Sequence, residues 1–215
     1  MKQVQTHALA VRITHWLMAI STIVMIASGW RIYNAHPILP FTFPLWLTLG
    51  GNVETALARH GDPGVASALL WHFAGMWVLL AAYLGFVLWG TFSGHFRRDF
   101  LPVGPKSFLR DFIAAATFRL PHKLGEYNAV QKAFYWGVLL AMLGVIVSGV
   151  VLWKPVQTYP LELLFGGFQG ARIVHFICMA GIVGFVCLHL ALVALVPSTL
   201  KAMITGRAEH KEHTK

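Results

Sequence analysis

Charge is what this chain has least of. Only 12% of its 215 residues are Asp, Glu, Lys or Arg, and only 8 are acidic, where a soluble domain carries about 25% charged residues. That deficit, with long uncharged runs, excludes a soluble globular domain and places the chain among integral membrane proteins. Cysteine is nearly as scarce. Cys178 and Cys187 share one apolar run at roughly opposite helical phase, so they cannot bridge to each other and read as buried structural thiols. The first apolar run is followed by no small-residue cleavage site and is read as a spanning helix, not a signal peptide. No internal repeat emerges beyond shared histidines, and no appended redox domain is visible, so residues 1–215 form a single membrane domain. The net charge of +9 does not indicate nucleic acid, because the basic residues flank apolar runs and form no patch with interleaved aromatics.

What the chain has is hydrophobic length. Of its residues 57% are hydrophobic, and four runs, at about 13–30, 69–92, 130–153 and 171–196, suffice to cross a hydrocarbon core of roughly 30 Å. Trp16, Trp30, Tyr33, Trp71, Trp89, Tyr135, Trp136 and Trp153 cluster near their ends, as interfacial aromatics do. Lys2, Arg12, Arg97, Arg98, Lys106, Arg110, Arg119, Lys123, Lys201, Arg207, Lys211 and Lys215 fall on one side of the spans, against Arg31, Arg59, Lys154 and Arg172 on the other. The positive-inside rule puts both termini in the cytoplasm. The expectation is an all-α, multi-pass integral membrane protein, a four-helix bundle. The first loop, rich in Pro and Gly, faces outward, and its apolar stretch Pro40–Leu49 is too short and proline-broken to span.

Four histidines lie inside the spans: His15, His72, His175 and His189. An ionisable or metal-binding side chain in a spanning helix marks a functional site by default. His175 and His189 are two heptads apart on the fourth span, so they drift by only roughly 40° around the helix. They are about 21 Å apart along it. Each therefore needs its own partner. By depth, His15 meets His189 on the inner side and His72 meets His175 on the outer side. Two facing imidazoles, read as having no Asp, Glu or Cys near them in the spans, suit the axial positions of a haem b iron, and six-coordinate haem favours electron transfer over oxygen chemistry. Zinc or copper would want a third or fourth ligand at each level. The rival reading of each histidine singly is a helix-to-helix hydrogen-bond partner. Gly29, fourteen residues after His15, would let a porphyrin edge pass, and Gly75, Gly144, Gly181 and Gly184 would serve similarly; close helix packing explains them as well. Arg12 and Arg172, each three residues before a proposed ligand, either pair with haem propionates or anchor the helix ends.

Arg12-x-x-His15-Trp16, a histidine early in the second span, Asn128-x-x-Gln131-Lys132 opening the third, and Arg172-x-x-His175 with His189 fourteen residues on resemble the bacterial cytochrome b561 family. That family includes the b-type cytochrome subunits of nickel-iron hydrogenase, formate dehydrogenase and thiosulfate reductase. The resemblance covers nearly the whole chain and implies four helices, two b haems and electron exchange with membrane quinone. In the formate dehydrogenase type, quinone binds beside an asparagine opening the third span. That position matches Asn128, with Gln131 and Lys132 nearby; as a residue, Asn128 reads equally as a helix cap. The outer loop and the run Gly94–Phe100 are similar to members that accompany periplasmic molybdenum oxidoreductases of the sulfite-oxidase type. The expected function is electron transfer between quinone and a periplasmic redox partner, which is a molybdenum oxidoreductase, a hydrogenase or a cytochrome c. Its rivals are a stand-alone superoxide oxidase or ferric reductase, and a purely structural anchor.

Overall fold

A computed structural model describes residues 2–5, 7–51, 64–101, 104–117 and 128–210. Arg59, Arg119, Lys123, Lys211 and Lys215, used above for orientation, lie outside these residues. In chain order the elements are β1 (Lys2–Gln5), α1 (Leu9–Ala35), a 3-10 turn (Leu45–Leu47), α2 (Val65–Phe92) and a π turn (Phe96–Phe100). They continue with α3 (Pro105–Ala116), α4 (Ala129–Trp153), α5 (Tyr159–Leu164), α6 (Gly167–Leu195), α7 (Pro197–Thr205) and β2 (Arg207–His210). Helices α1, α2, α4 and α6 are long and apolar enough to cross a membrane, so the four expected spans form. Three of them begin four residues earlier than expected, α1 at Leu9, α2 at Val65 and α6 at Gly167.

The chain divides into two compact units, Ile13–Phe86 and Met1–Arg12 with Val87–Lys215. In the first, α1 packs antiparallel on α2. Gly85 sits beside Thr14, Gly75 beside Val24 and Met25, and Gly29 beside His72, so partners on one helix fall as those on the other rise. The buried residues of α1 are largely polar: Ser21, Thr22, Ser28 and Arg31, with Tyr33. Leu9, Ile13, Leu17, Ile20 and Ile23 are exposed. This inverts the pattern of a soluble helix. Lipid solvates large apolar side chains, and small polar ones let backbones approach while bonding internally; Ser21 and Ser28 each donate to the carbonyl four residues back, Leu17 and Val24, at 2.7 Å.

The loop that follows α1 folds back onto the end of that helix. Phe43 stacks on Trp30 at 4.4 Å between ring centres. Asn34 accepts from Phe43 N–H and donates to Phe43 O, both at 2.8 Å. Leu49 N–H donates to Ala27 O at 3.0 Å. Trp46 stays 81% exposed, as an interfacial tryptophan would.

In the second unit α4 packs antiparallel on α6, Gly144 against Cys178 and Gly149 against His175. Cys187, in contrast to the buried thiol expected, is exposed: its phase turns it away from the helix that receives Cys178. Helix α3 packs on α4, and β1 pairs antiparallel with β2. That ribbon brings the two ends of the described chain together, as an even number of spans requires. It and the short helices α3, α5 and α7 were not expected from the sequence.

Candidate functional site

Two of the span histidines are held in the same way, one in each unit. His72 Nδ1 lies 2.9 Å from Ser28 Oγ, and His175 Nδ1 lies 3.0 Å from Ser148 Oγ. Each serine is fully buried. Each donates its single proton to the carbonyl four residues back, Ser28 to Val24 O at 2.7 Å and Ser148 to Gly144 O at 2.6 Å. The oxygen facing the imidazole is therefore an acceptor, and Nδ1–H donates to it. The Val145 carbonyl is a further acceptor for His175. With the proton on Nδ1, the lone pair is on Nε2, the tautomer in which a metal-bound histidine is normally held.

The residue after each serine is glycine, and it has a defined job. A Cβ at Gly29 would come 3.3 Å from His72 Cε1, and a Cβ at Gly149 would come 3.3 Å from His175 Cε1. Both glycines make room for the imidazole face. Gly29 was expected to clear a porphyrin edge; in the structure it clears the histidine. Gly75 accommodates Met25, and Gly144 accommodates Cys178. At Gly181 and Gly184 a Cβ would meet nothing within 4 Å.

His15 and His189 are half-buried and lie against aromatic rings. His15 meets Trp16 edge-on at 5.4 Å. His189 lies parallel to Phe185 at 5.7 Å, with 9° between planes, so the ring four residues before it fixes its plane.

The remaining sequence-predicted residues lie at helix ends. Arg12 donates to the carbonyls of Met203, at 3.3 Å, and Ile204, closing the last turn of α7, where carbonyls lack helical partners and a cation is favoured. Arg172 donates to Gln169 Oε1 at 2.8 Å. Asn128 is the N-cap of α4: its Oδ1 accepts from Gln131 N–H at 2.8 Å, and Gln131 Oε1 accepts from Asn128 N–H at 3.2 Å, a capping box. Lys132 Nζ is 3.5 Å from Leu101 O. Asp111 Oδ2 accepts from Ala129 N–H at 3.0 Å. That bond to the positive end of α4 holds the Asp111 carboxyl below its ordinary range, with Arg110 adding to it.

Sequence reasoning missed Ser28, Ser148, Gly149, Asp111 and the role of Arg31. A signal for the first three was present. Ile26-Ala27-Ser28-Gly29 and Ile146-Val147-Ser148-Gly149 repeat the pattern Ile-x-Ser-Gly near the ends of the first and third spans.

The residues fit a haem b. Among the described residues, no three His, Cys, Asp or Glu side chains gather into a cage for an ion. What is present is single, oriented imidazoles, the donor type that haem iron takes axially.

Comparisons with known proteins agree with this chemistry. Residues 6–206 match the model of prokaryotic cytochrome b561. A proposed protein-methionine-sulfoxide reductase subunit, YedZ1 of Azospira oryzae, is 41% identical over 91% of this chain and 93% of its own length. The formate dehydrogenase cytochrome b556(fdo) subunit of Escherichia coli is 23% identical over 91% of this chain and 81% of its own. A proposed Ni/Fe-hydrogenase B-type cytochrome subunit of Bradyrhizobium diazoefficiens is 24% identical over 94% of this chain and 84% of its own. The chain belongs to the prokaryotic cytochrome b561 family and is an integral membrane b-type cytochrome of electron transport.

Proposed function

We propose that this protein is the membrane subunit of a periplasmic oxidoreductase and carries electrons between the quinone pool and that partner across the bacterial inner membrane. In this reading it holds two b haems, an outer one on His72 and His175 and an inner one on His15 and His189. The pairing follows from the depth of each histidine along its span, with both termini in the cytoplasm. The observation that supports the reading is the matched pair His72–Ser28–Gly29 and His175–Ser148–Gly149, because two imidazoles each tethered through Nδ1 to a buried serine are the ligand type a six-coordinate iron takes.

Haem, when bound, supplies reversible one-electron chemistry at iron. The chain's own residues do the positioning. Ser28 and Ser148 hold a proton on each Nδ1, Gly29 and Gly149 admit the ring, and Phe185 sets the plane of His189. On the cytoplasmic side the start of α4 is the quinone surface. Lys132 and Gln131 stand there as polar groups toward a quinone oxygen, with Asn128 shaping the helix end.

The 41% identical relative is a proposed protein-methionine-sulfoxide reductase subunit, which favours, among the partners the family resemblance implies, a periplasmic molybdenum oxidoreductase that acts on methionine sulfoxide. The balance closes. Quinol gives quinone, two protons and two electrons, and a sulfoxide takes two electrons and two protons to give a thioether and water. The test is to tag the chain, extract it gently from its native membrane, and add a reduced quinone to the purified material. Reduction of a b-type spectrum, followed by reoxidation on adding methionine sulfoxide when a periplasmic subunit has co-purified, is expected. A b spectrum that quinol does not reduce overturns the quinone assignment.

A further inference from the structure

At one end of the first unit Arg31 is a buried charge with no acidic partner among the described residues. Arg31, 4% exposed, makes one hydrogen bond, from NH2 to Gly51 O at 3.2 Å, and its Nε is buried without a partner. A guanidinium has five N–H donors and no acceptor, so most of its hydrogen-bonding capacity is unused. Burying such a charge unpaired is costly. Its seat is built for it: a Cβ at Gly50 would come 3.1 Å from Arg31 Cγ, and one at Gly64 would come 3.1 Å from Arg31 NH2. The neighbouring donor, Trp30 Nε1, is also buried without a hydrogen-bond partner.

Arg31 lines a cleft of about 530 Å³ with Asn34, Ala35, Thr42, Phe43 and Leu45. Asn34 spends both ends of its amide on the Phe43 backbone, so it is not the missing acceptor. Among the described residues no acidic side chain pairs with Arg31. A buried guanidinium with unused donors that lines an open cleft is the complement of a planar anion, and its fork matches a carboxylate best.

We propose that Arg31 is the base of a carboxylate-binding site. The carboxylate is a propionate of the outer haem or that of a small free acid. The propionate source rests on the haem reading above. It is favoured by position, since Arg31 lies three residues beyond Ser28, about one turn outward from the oxygen that orients His72.

The experiment uses the full-length purified protein and its variants Arg31→Gln and Arg31→Lys. Haem per chain, the propionate bending band in the resonance Raman spectrum and the outer-haem midpoint potential are recorded, along with thermal stability with and without acetate. For a propionate, Arg31→Gln shifts the propionate band and lowers the outer potential, because removing a nearby cation favours ferric iron; Arg31→Lys restores the potential but not the band. For a free acid, the haem properties stay unchanged, while acetate raises the melting temperature of the wild type and not of Arg31→Gln. If neither response appears, the site is not a carboxylate site and the proposal is overturned. Should Arg31→Gln fail to accumulate, the band in Arg31→Lys and the acetate response of the wild type decide the same question. A wild-type protein without haem would overturn the haem reading while leaving the acetate arm to test the site.

Discussion

Replacing Ser28 or Ser148 with alanine removes the acceptor of one ligand's Nδ1–H and little else. Each serine is fully buried, and alanine fits the same space in the helix. Two effects follow. The imidazole loses part of its orientation, and loss of such a supporting partner typically costs 10–100-fold in metal affinity, about 1.4–2.7 kcal/mol. The iron also changes potential. A hydrogen bond from Nδ1–H to Ser Oγ adds electron density to the ring and stabilises ferric iron, so its loss raises the potential. If about 0.5–1 kcal/mol of the bond's net worth distinguishes the two oxidation states, a one-electron couple moves by roughly 20–40 mV. His175 keeps the Val145 carbonyl as a partial acceptor, so Ser28→Ala should shift the potential by more than Ser148→Ala. Spectroelectrochemical titration of both variants, with Ser28→Thr as the hydroxyl-retaining control, measures this. Outer-haem potentials equal to the wild type in both alanine variants would refute the argument that the serines orient and tune the ligands.

The other expectations concern the supports around the site. Gly149→Ala and Gly29→Ala each place a Cβ 3.3 Å from an imidazole carbon in a ring already tethered by its serine; haem occupancy should fall modestly in each and much further with valine, as pyridine haemochrome assay would show. Asp111→Asn weakens the bond that closes the first turn of α4, lowering stability by about 1 kcal/mol. Because the folded-state carboxyl sits below its ordinary range, its contribution is present above that range and is lost as pH falls through the folded-state value. Thermal melts in detergent should therefore show acid sensitivity near and below about pH 4 in the wild type that Asp111→Asn lacks. Arg12→Gln leaves the last carbonyls of α7 without their donor and should speed tryptic cleavage at Lys201 or Arg207 without changing the haem spectrum; unchanged cleavage would count against the cap.

The four spans were legible because uncharged length dominates in lipid, and the histidines because polar groups inside such spans are rare. Their true ends were not legible. Arg12 looks like a boundary, yet α1 runs through it because Met203 and Ile204 carbonyls, about 190 residues away, receive its guanidinium. The supporting shell was hidden for a similar reason. Ser28 and Ser148 stand out as polar residues in apolar spans, but their partners lie 44 and 27 residues on, a relation that helical phase on one span does not reveal. Asn128 shows the limit from the other side. The spacing Asn128-x-x-Gln131 admits both a cap and a quinone contact, and the structure makes the cap.

The most direct test of the account is haem stoichiometry in the purified full-length chain and in His72→Ala and His189→Ala, by pyridine haemochrome against quantified protein. The account predicts two b haems per chain in the wild type and one in each variant, the survivors differing in potential. One haem or none in the wild type, or two retained in either variant, would contradict it.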